Sequence, residues 1–270
     1  MMQNATRTED ARGLSAQERR DYIAHLLDER ERVSVAELAV RFGVTDVSIR
    51  RDLMILEDAG RLRRIHGGAV AASAGRVPGA YMLKVRENRD QKARIGAAAA
   101  GLIRAGDVVV FDSGSTVAQV AAHVPVPLRR SSAITVVTNS LPVISEIAAW
   151  DGPHLICLGG LYLPDHRALV GPQTTTELRD LSADIAFIGC DGLTIETGLT
   201  TPHVLVAEVA AMMASHARRV VVVADSTKLG RRGFTPIVPL TAVHVLITDE
   251  GADPATVERA QELGIEVVLA

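Results

Sequence analysis

Residues 34–68 read SVAELAVRFGVTDVSIRRDLMILEDAGRLRRIHGG, and this stretch decides the fold of the N-terminal part of the chain. Ser34 and Glu37 form a capping box that begins one short helix, and Gly43 ends it because glycine readily takes a positive φ. Thr45 can cap a second helix, whose apolar residues recur at helical spacing and leave polar residues on the other face. Two short helices joined by a tight turn are typical of a helix-turn-helix, whose second helix enters a DNA major groove.

A basic segment follows these helices. Apolar residues alternate around paired glycines over residues 62–70, which predicts a short hairpin, the wing of a winged helix-turn-helix. Residues 1–70 contain 12 Arg against 12 Asp plus Glu, so DNA contact must depend on the placement of arginines rather than on bulk charge. The candidate DNA-binding residues are Thr45, Ser48, Arg50, Arg51, Arg63, Arg64 and His66. A small helical bundle used for protein contacts is the alternative interpretation of the same helices.

The composition is that of an ordinary soluble protein, with 47% hydrophobic and 23% charged residues. No apolar run approaches the roughly 20 residues that a spanning helix requires, so we expect a cytoplasmic protein with no membrane partner. Cys157 and Cys190 lie in apolar runs without CxxC spacing and are expected to be buried core thiols. The histidines show no spacing of metal ligands, and we expect neither a metal nor a cofactor.

From Gly106 onward, short apolar runs alternate with polar loops and helical segments. Runs of four to five residues, such as 108–111 and 220–224, predict strands of a mostly parallel sheet with helices on both faces. The predicted domains are a disordered tail over 1–13, a winged helix-turn-helix domain over 14–70, a linker over 71–90 and an α/β domain over 91–270. One amphipathic helix is expected over residues 87–104.

Polar residues follow the predicted strands at their carboxyl ends, where parallel sheets bind ligands. The loop 112–116 stands at a helix N-terminus, which favours an anion, and Lys228 would pair with a phosphate, while carboxylates suit sugar hydroxyls. A phosphorylated sugar is therefore the predicted ligand. The candidate ligand-binding residues are Asp112, Ser113, Gly114, Ser115, Thr116, Thr138, Asn139, Asp191, Gly192, Glu208 and Lys228. The alternative is that they are ordinary turn residues, and Glu208 suits a solvated helix position equally well.

Both parts of the chain resemble one family. Seven segments closely resemble the corresponding segments of the DeoR, or GlpR-type, transcriptional regulators. They are VTDVSIRRDL (44–53), HGGA (66–69), FDSGST (111–116), VTNS (137–140), LGG (158–160), IGCDG (188–192) and ADSTK (224–228). The resemblance implies an N-terminal winged helix-turn-helix domain and a larger, mostly parallel α/β effector domain of sugar-isomerase-like (Rossmann-like) type. It also implies a repressor of a carbohydrate or polyol operon that a phosphorylated sugar or polyol relieves.

Because one helix-turn-helix reads only a half-site, we expect a homo-oligomer, a dimer or tetramer, bound to double-stranded operator DNA. The rival hypothesis is a phosphosugar isomerase with a DNA-binding appendage, in which Asp112, Asp191 or Glu208 would act as general base. The polar residues offer no clear acid–base pair, so we predict a binding protein rather than an enzyme. A protein-interaction adaptor is the third possibility, and it would show no salt-dependent DNA binding.

Overall fold

The computed structural model describes residues 13–30, 32–59, 61–65, 67–71, 80–130 and 133–270. The chain divides into two compact units, Met1–Pro78 (unit 1) and Gly79–Ala270 (unit 2). Residues 1–12 of the predicted tail and 72–79 of the predicted linker lie outside the described residues. None of the helices in the described part of the chain has the length and apolarity that crossing a bilayer requires.

The described residues of unit 1 form three helices and a small antiparallel sheet with the strand order β1-β3-β2. Its elements are α1 (Ala16–Arg30), β1 (Arg32–Ser34), α2 (Val35–Phe42), α3 (Asp46–Asp58), β2 (Leu62–Ile65) and β3 (Gly68–Ala71). The predicted hairpin is present as β2 and β3, so the winged helix-turn-helix is confirmed. Strand β1 was not predicted, because three residues are too few to show an alternating pattern.

Local sequence accounts for the boundaries of α2 and α3. The Ser34 hydroxyl accepts a hydrogen bond from the backbone N–H of Glu37 at 3.1 Å, and Thr45 caps α3 in the same way. Gly43 follows α2 with a φ of 65°, which a residue with a Cβ rarely adopts. The apolar residues of α3 do not all face inward, because Ile55 is 39% exposed. The inward face of α3 is formed by Ile49, Asp52, Leu53 and Leu56.

In the described part of unit 2, seven parallel strands form the central sheet, in the order β15-β14-β12-β9-β4-β5-β6. These strands are β4 (Val108–Phe111), β5 (Thr135–Thr138), β6 (His154–Cys157), β9 (Ala183–Ile188), β12 (Ala217–Val223), β14 (Val245–Thr248) and β15 (Glu266–Leu269). Successive residues of a strand point to opposite faces, so Val110 joins one buried cluster and Val109 and Phe111 join the other. The predicted parallel sheet with two covered faces is therefore confirmed.

Helices and two small antiparallel sheets surround this sheet. The helices are α4 (Ala80–Arg86), α5 (Arg89–Ala100), α6 (Ser115–Ala122), α7 (Leu141–Ile147), α8 (Pro172–Leu178), α9 (Val204–Ser215) and α10 (Pro254–Glu262). One small sheet pairs β7 (Leu161–Leu163) with β8 (Ala168–Val170), and the other has the order β10 (Gly192–Thr194), β11 (Gly198–Thr201), β13 (Thr235–Pro236). Neither small sheet was predicted, because their strands have only two to four residues.

The beginning of unit 2 differs from the sequence prediction. The helix expected over residues 87–104 is present as α5, which ends at Ala100. A second helix, α4, lies within the predicted linker and is separated from α5 at Asn88, whose φ is 50°. The Nζ of Lys92 in α5 donates hydrogen bonds to the carbonyl oxygens of Lys84 and Glu87. These bonds satisfy carbonyls at the end of α4, and they explain why the chain turns there.

The two cysteines differ from each other. Cys157 is exposed, so the expectation of a buried thiol was wrong, because β6 is an edge strand of the large sheet. Cys190 is partly buried at the end of β9. Burial raises the pKa of its thiol to about 12, which keeps it protonated and unreactive.

Candidate functional site

The outward surface of α3 carries the side chains predicted to contact DNA. Thr45, Arg50 and Arg51 are exposed there, and Ser48 is half-buried. The hydroxyls of Thr45 and Ser48 lie 3.1 Å apart. The first two turns of α3 therefore present hydroxyl groups and two guanidinium groups on an accessible surface, as a helix that reads base edges requires.

The wing contributes a further exposed arginine. The backbone N–H of Arg64 donates a hydrogen bond to Glu57 Oε1 at 2.8 Å, and its side-chain Nε lies 3.6 Å from Glu57 Oε2. Glu57 thereby ties β2 to the last turn of α3. The side chain of Arg63 and the whole of His66, both predicted to contact DNA, lie outside the described residues.

A buried ion pair beneath α3 was not predicted. The carboxylate of Asp52 accepts hydrogen bonds from Arg19 Nε at 2.6 Å and from an Arg20 guanidinium nitrogen at 3.3 Å, and Asp52 is only 3% exposed. Both arginines belong to α1, so this carboxylate joins α1 to α3 next to Arg51. The available signal was an acidic residue at a position where helical spacing expects an apolar one.

In unit 2, a crevice opens at the carboxyl ends of β4, β9 and β12, which are neighbours in the sheet. The chain runs from β4 to β5 in one direction and returns through β9 on the other side of β4, so the crevice lies where the strand order reverses. Seven of the predicted ligand-binding residues line it, and they are Asp112, Ser113, Gly114, Ser115, Thr116, Asp191 and Lys228.

Two other predicted residues, at the end of β5, do not line the crevice. Thr138 is fully buried and its hydroxyl donates a hydrogen bond to the carbonyl oxygen of Phe111 at 2.7 Å. Asn139 is also buried, and its amide donates to the carbonyl oxygen of Leu169 at 2.8 Å. Both side chains bond to the backbone of neighbouring segments and neither lines the crevice, and their role as ligand contacts stays a prediction.

The remaining two predicted residues also lie away from the crevice lining. Gly192 is buried in β10, where a Cβ would come within 2.5 Å of the carbonyl oxygen of Arg231, so glycine is required there by close backbone packing. Glu208 is exposed on α9, whose buried face is formed by residues such as Val206 and Val209. Glu208 therefore occupies a solvated helix position, the alternative stated from the sequence.

The carboxyl group of Asp112 has an unusual environment. Asp112 is 2% exposed, and burial raises its pKa to about 7, although hydrogen bonds from the backbone N–H groups of Ser113 and Gly189 oppose the shift. The N–H of Gly189 lies 3.3 Å from Asp112 Oδ2. Near neutral pH this group therefore exchanges between a hydrogen-bond donor and an acceptor at the edge of the crevice.

Asp191 has a cationic partner that was not predicted. The Nζ of Lys84, from α4, forms a hydrogen-bonded ion pair with Asp191 Oδ1, and the Thr201 hydroxyl donates to Oδ2 at 2.9 Å. Burial raises the pKa of Asp191, but the charge of Lys84 and these hydrogen bonds outweigh it, so the net pKa is lowered. Asp191 is thus a carboxylate, and Lys84 is a crevice residue that no sequence signal identified.

Lys92, which also lines the crevice, forms a second ion pair that joins α5 to Asp225. Lys92 is 3% exposed, and its Nζ lies 4.0 Å from Asp225 Oδ2, while the Asn88 amide donates to Asp225 Oδ1 at 2.9 Å. Burial lowers the pKa of Lys92, partly offset by the charge of Asp225. Helical spacing does put Lys92 on the face of α5 that contains Ile95 and Ala99, so a buried lysine was readable from the sequence.

Comparisons with known proteins agree with both units. The DeoR-like helix-turn-helix domain model matches residues 19–74, and the DeoR C terminal sensor domain model matches residues 87–250. The HTH-type transcriptional regulator GlpR of Haloferax volcanii is 35% identical over 251 residues, which cover 93% of this chain and 96% of that protein. The putative aga operon transcriptional repressor of Escherichia coli O157:H7 is 29% identical over 270 residues, 99% of each chain.

A solved structure of ribose 5-phosphate isomerase A from Methanocaldococcus jannaschii matches with a TM-score of 0.39 and 20% identity, over 53% of this chain and 55% of that one. This likeness is too slight to carry an argument for isomerase activity. Both domain models and both relatives instead describe transcriptional regulators, and the sensor-domain model alone spans more than half of the chain. The protein is therefore a DNA-binding transcriptional regulator of the DeoR family, as its sequence motifs indicated.

Proposed function

We propose that this regulator represses a carbohydrate or polyol operon, and that a phosphorylated sugar or polyol bound in unit 2 relieves the repression. The observation that carries the proposal is the crevice lining, in which one helix N-terminus and the ammonium groups of Lys84 and Lys228 lie with the carboxyl groups of Asp112 and Asp191. The cationic groups suit a phosphate, and the carboxyl groups suit sugar hydroxyls.

The anion-binding part of this crevice would be the first turn of α6. Ser115 and Thr116 begin this helix, so their backbone N–H groups have no partner within it. Gly114 precedes them with a φ of 134°, which leaves the approach free of a side chain. N–H groups and hydroxyls that converge at a helix N-terminus form a favourable environment for phosphate oxygens.

At the operator, α3 would lie in the major groove, with Arg50 and Arg51 as its principal contacts and Arg63, Arg64 and His66 of the wing next to the phosphate backbone. Since one such unit reads one half-site, we propose a homo-oligomer, either a dimer or a tetramer. The name of the aga operon relative, a putative repressor, supports repression rather than activation.

A thermal-shift screen of phosphorylated sugars and polyols, each beside its unphosphorylated counterpart, tests the ligand class. We expect one or more phosphorylated compounds to raise the Tm and to weaken binding to an operator fragment that the wild-type protein has selected from random DNA. Lys228→Ala should lose the thermal shift and keep operator affinity. Arg232→Ala, an exposed cation outside the crevice lining, is the matched control. Equal shifts from both members of every pair would contradict the proposal.

A further inference from the structure

Helix α4 brings a cation into the crevice from the very beginning of unit 2. Its first residue, Ala80, is the second residue of the unit, and the segment before it leads back along the chain to unit 1. Lys84 lies one turn into this helix and lines the crevice together with Tyr81. If Lys84 exchanges Asp191 for another partner, the contacts of α4 therefore change, and α4 is the first helix after the DNA-binding unit.

Few apolar contacts hold α4. Of its seven residues only Tyr81 is buried, where the Arg167 guanidinium lies 6.0 Å from its ring centre, and Met82 and Leu83 are 38% and 46% exposed. Helices this short are unstable by themselves, so tertiary contacts must stabilise α4. These contacts include the packing of α4 against α6, the Lys84–Asp191 ion pair and the bonds from Lys92 to the carbonyl end of α4.

The ion pair also opposes the binding of a phosphate in the crevice. Asp191 repels an incoming dianion, and while Lys84 remains on Asp191 its charge is compensated. Lys92 cannot substitute for it, because its ammonium is enclosed by Asp225 and two carbonyl oxygens. The side chain of Lys84 is 34% exposed, so its ammonium is accessible to a ligand in the crevice.

We propose that Lys84 is an effector-contact residue: the phosphate of the ligand takes its ammonium from Asp191, and α4 moves with it. Asp191, freed of its cation, then accepts hydrogen bonds from the hydroxyls of the sugar. This inference rests on the proposed function, and it adds the residue and the helix through which the bound state of the crevice reaches the segment leading to unit 1.

Inorganic phosphate is the probe that separates these contacts, because it has a phosphate and no sugar hydroxyls. With binding measured by calorimetry on the full-length protein, Lys84→Gln should weaken phosphate binding about tenfold, and Lys84→Arg should retain most of it. Asp191→Asn should strengthen binding, since it releases Lys84. In the Lys84→Gln background, the gain from Asp191→Asn should shrink. A purely structural ion pair would instead weaken binding in both single variants.

Arg86→Gln removes an exposed cation from the same helix and should bind phosphate like the wild type. Hydrogen–deuterium exchange over residues 80–88 provides a readout that needs no variant, and it should change when phosphate saturates the wild-type protein. Two results would overturn this inference and leave the proposed function intact. In both, the wild-type protein binds phosphate, but either Lys84→Gln binds it with the same affinity or hydrogen exchange in α4 does not change on binding. A wild-type protein that binds neither phosphate nor any phosphorylated sugar would overturn the proposed function as well.

Discussion

Asp112 shows how burial at a single residue makes the stability of the protein depend on pH. Its pKa is 3.8 in an unperturbed chain and about 7 in the folded protein, so the folded state binds a proton more tightly between these values. The stabilising contribution of this group is complete below about pH 3.8 and is lost as the pH rises through 7.

We therefore expect Asp112→Asn, which stays neutral, to gain thermal stability relative to the wild type as the pH rises from about 5 to about 8. Differential scanning calorimetry at several pH values within this range measures the difference in Tm. Asp180→Asn, which replaces an exposed carboxyl outside the crevice, is the control. A constant difference for Asp112→Asn would mean that its carboxyl titrates normally.

The arginines of α3 give a second prediction at the residue scale. Residues 1–70 carry equal numbers of Arg and acidic residues, so few contacts supply the attraction to DNA. Arg50→Ala and Arg51→Ala should each weaken operator binding by about tenfold or more, and ligand-induced thermal stabilisation should persist. Fluorescence anisotropy with the operator fragment tests this, with Arg218→Ala in unit 2 as control. If both variants bind like the wild type, α3 does not read the operator.

At the scale of elements, the orientation of α3 depends on its attachment to α1. Asp52 lies on the inward face of α3, where helical spacing favours an apolar residue, and its carboxylate bonds to two arginines of α1. A buried ion pair adds little stability over apolar packing, but the loss of one partner leaves charges buried without compensation. The pair therefore favours one register between the two helices over others.

We expect Asp52→Ala to lower the free energy of unfolding of unit 1 by about 3 kcal/mol, since Arg19 and Arg20 lose their partner. Operator affinity should fall as well, because α3 loses its fixed orientation. Native-state hydrogen exchange in α1 and α3 measures the first effect, and anisotropy measures the second. Asp58→Ala, at the exposed end of the same helix, is the control. Equal protection in both variants would show that the ion pair does not hold the helices.

For the whole molecule, ligand and operator must influence each other equally. A ligand changes operator affinity only if it binds two states of the protein with different affinity, and linkage then requires the same factor in both directions. We expect saturating operator DNA to lower the affinity for the phosphorylated ligand. The affinity should fall by the same factor by which saturating ligand lowers the affinity for operator. Calorimetry of the ligand with and without saturating operator measures this. If saturating operator leaves the affinity for the ligand unchanged, the ligand does not distinguish the two states of the protein.

Much of this protein was readable from short stretches of sequence. The helix caps at Ser34 and Thr45 depend on residues three positions away, and the turn at Gly43 depends on one backbone conformation. The apolar runs also predicted the parallel strands, because a strand that is buried on both faces of a sheet must be continuously apolar. The crevice loop 112–116 followed from its position between a strand and a helix.

The composition of the crevice required the three-dimensional packing. Strands β4, β9 and β12 lie side by side although the chain visits β5 and β6 between them, so Asp191 and Lys228 join the loop 112–116. Thr138, at the end of β5, had the same local sequence character but bonds to backbone instead. Lys84 lies on α4, a short helix whose sequence has no distinctive pattern. Local sequence determines which segments fold as helices or strands, whereas contacts between distant segments determine which strand ends meet and which side chains remain free for a ligand.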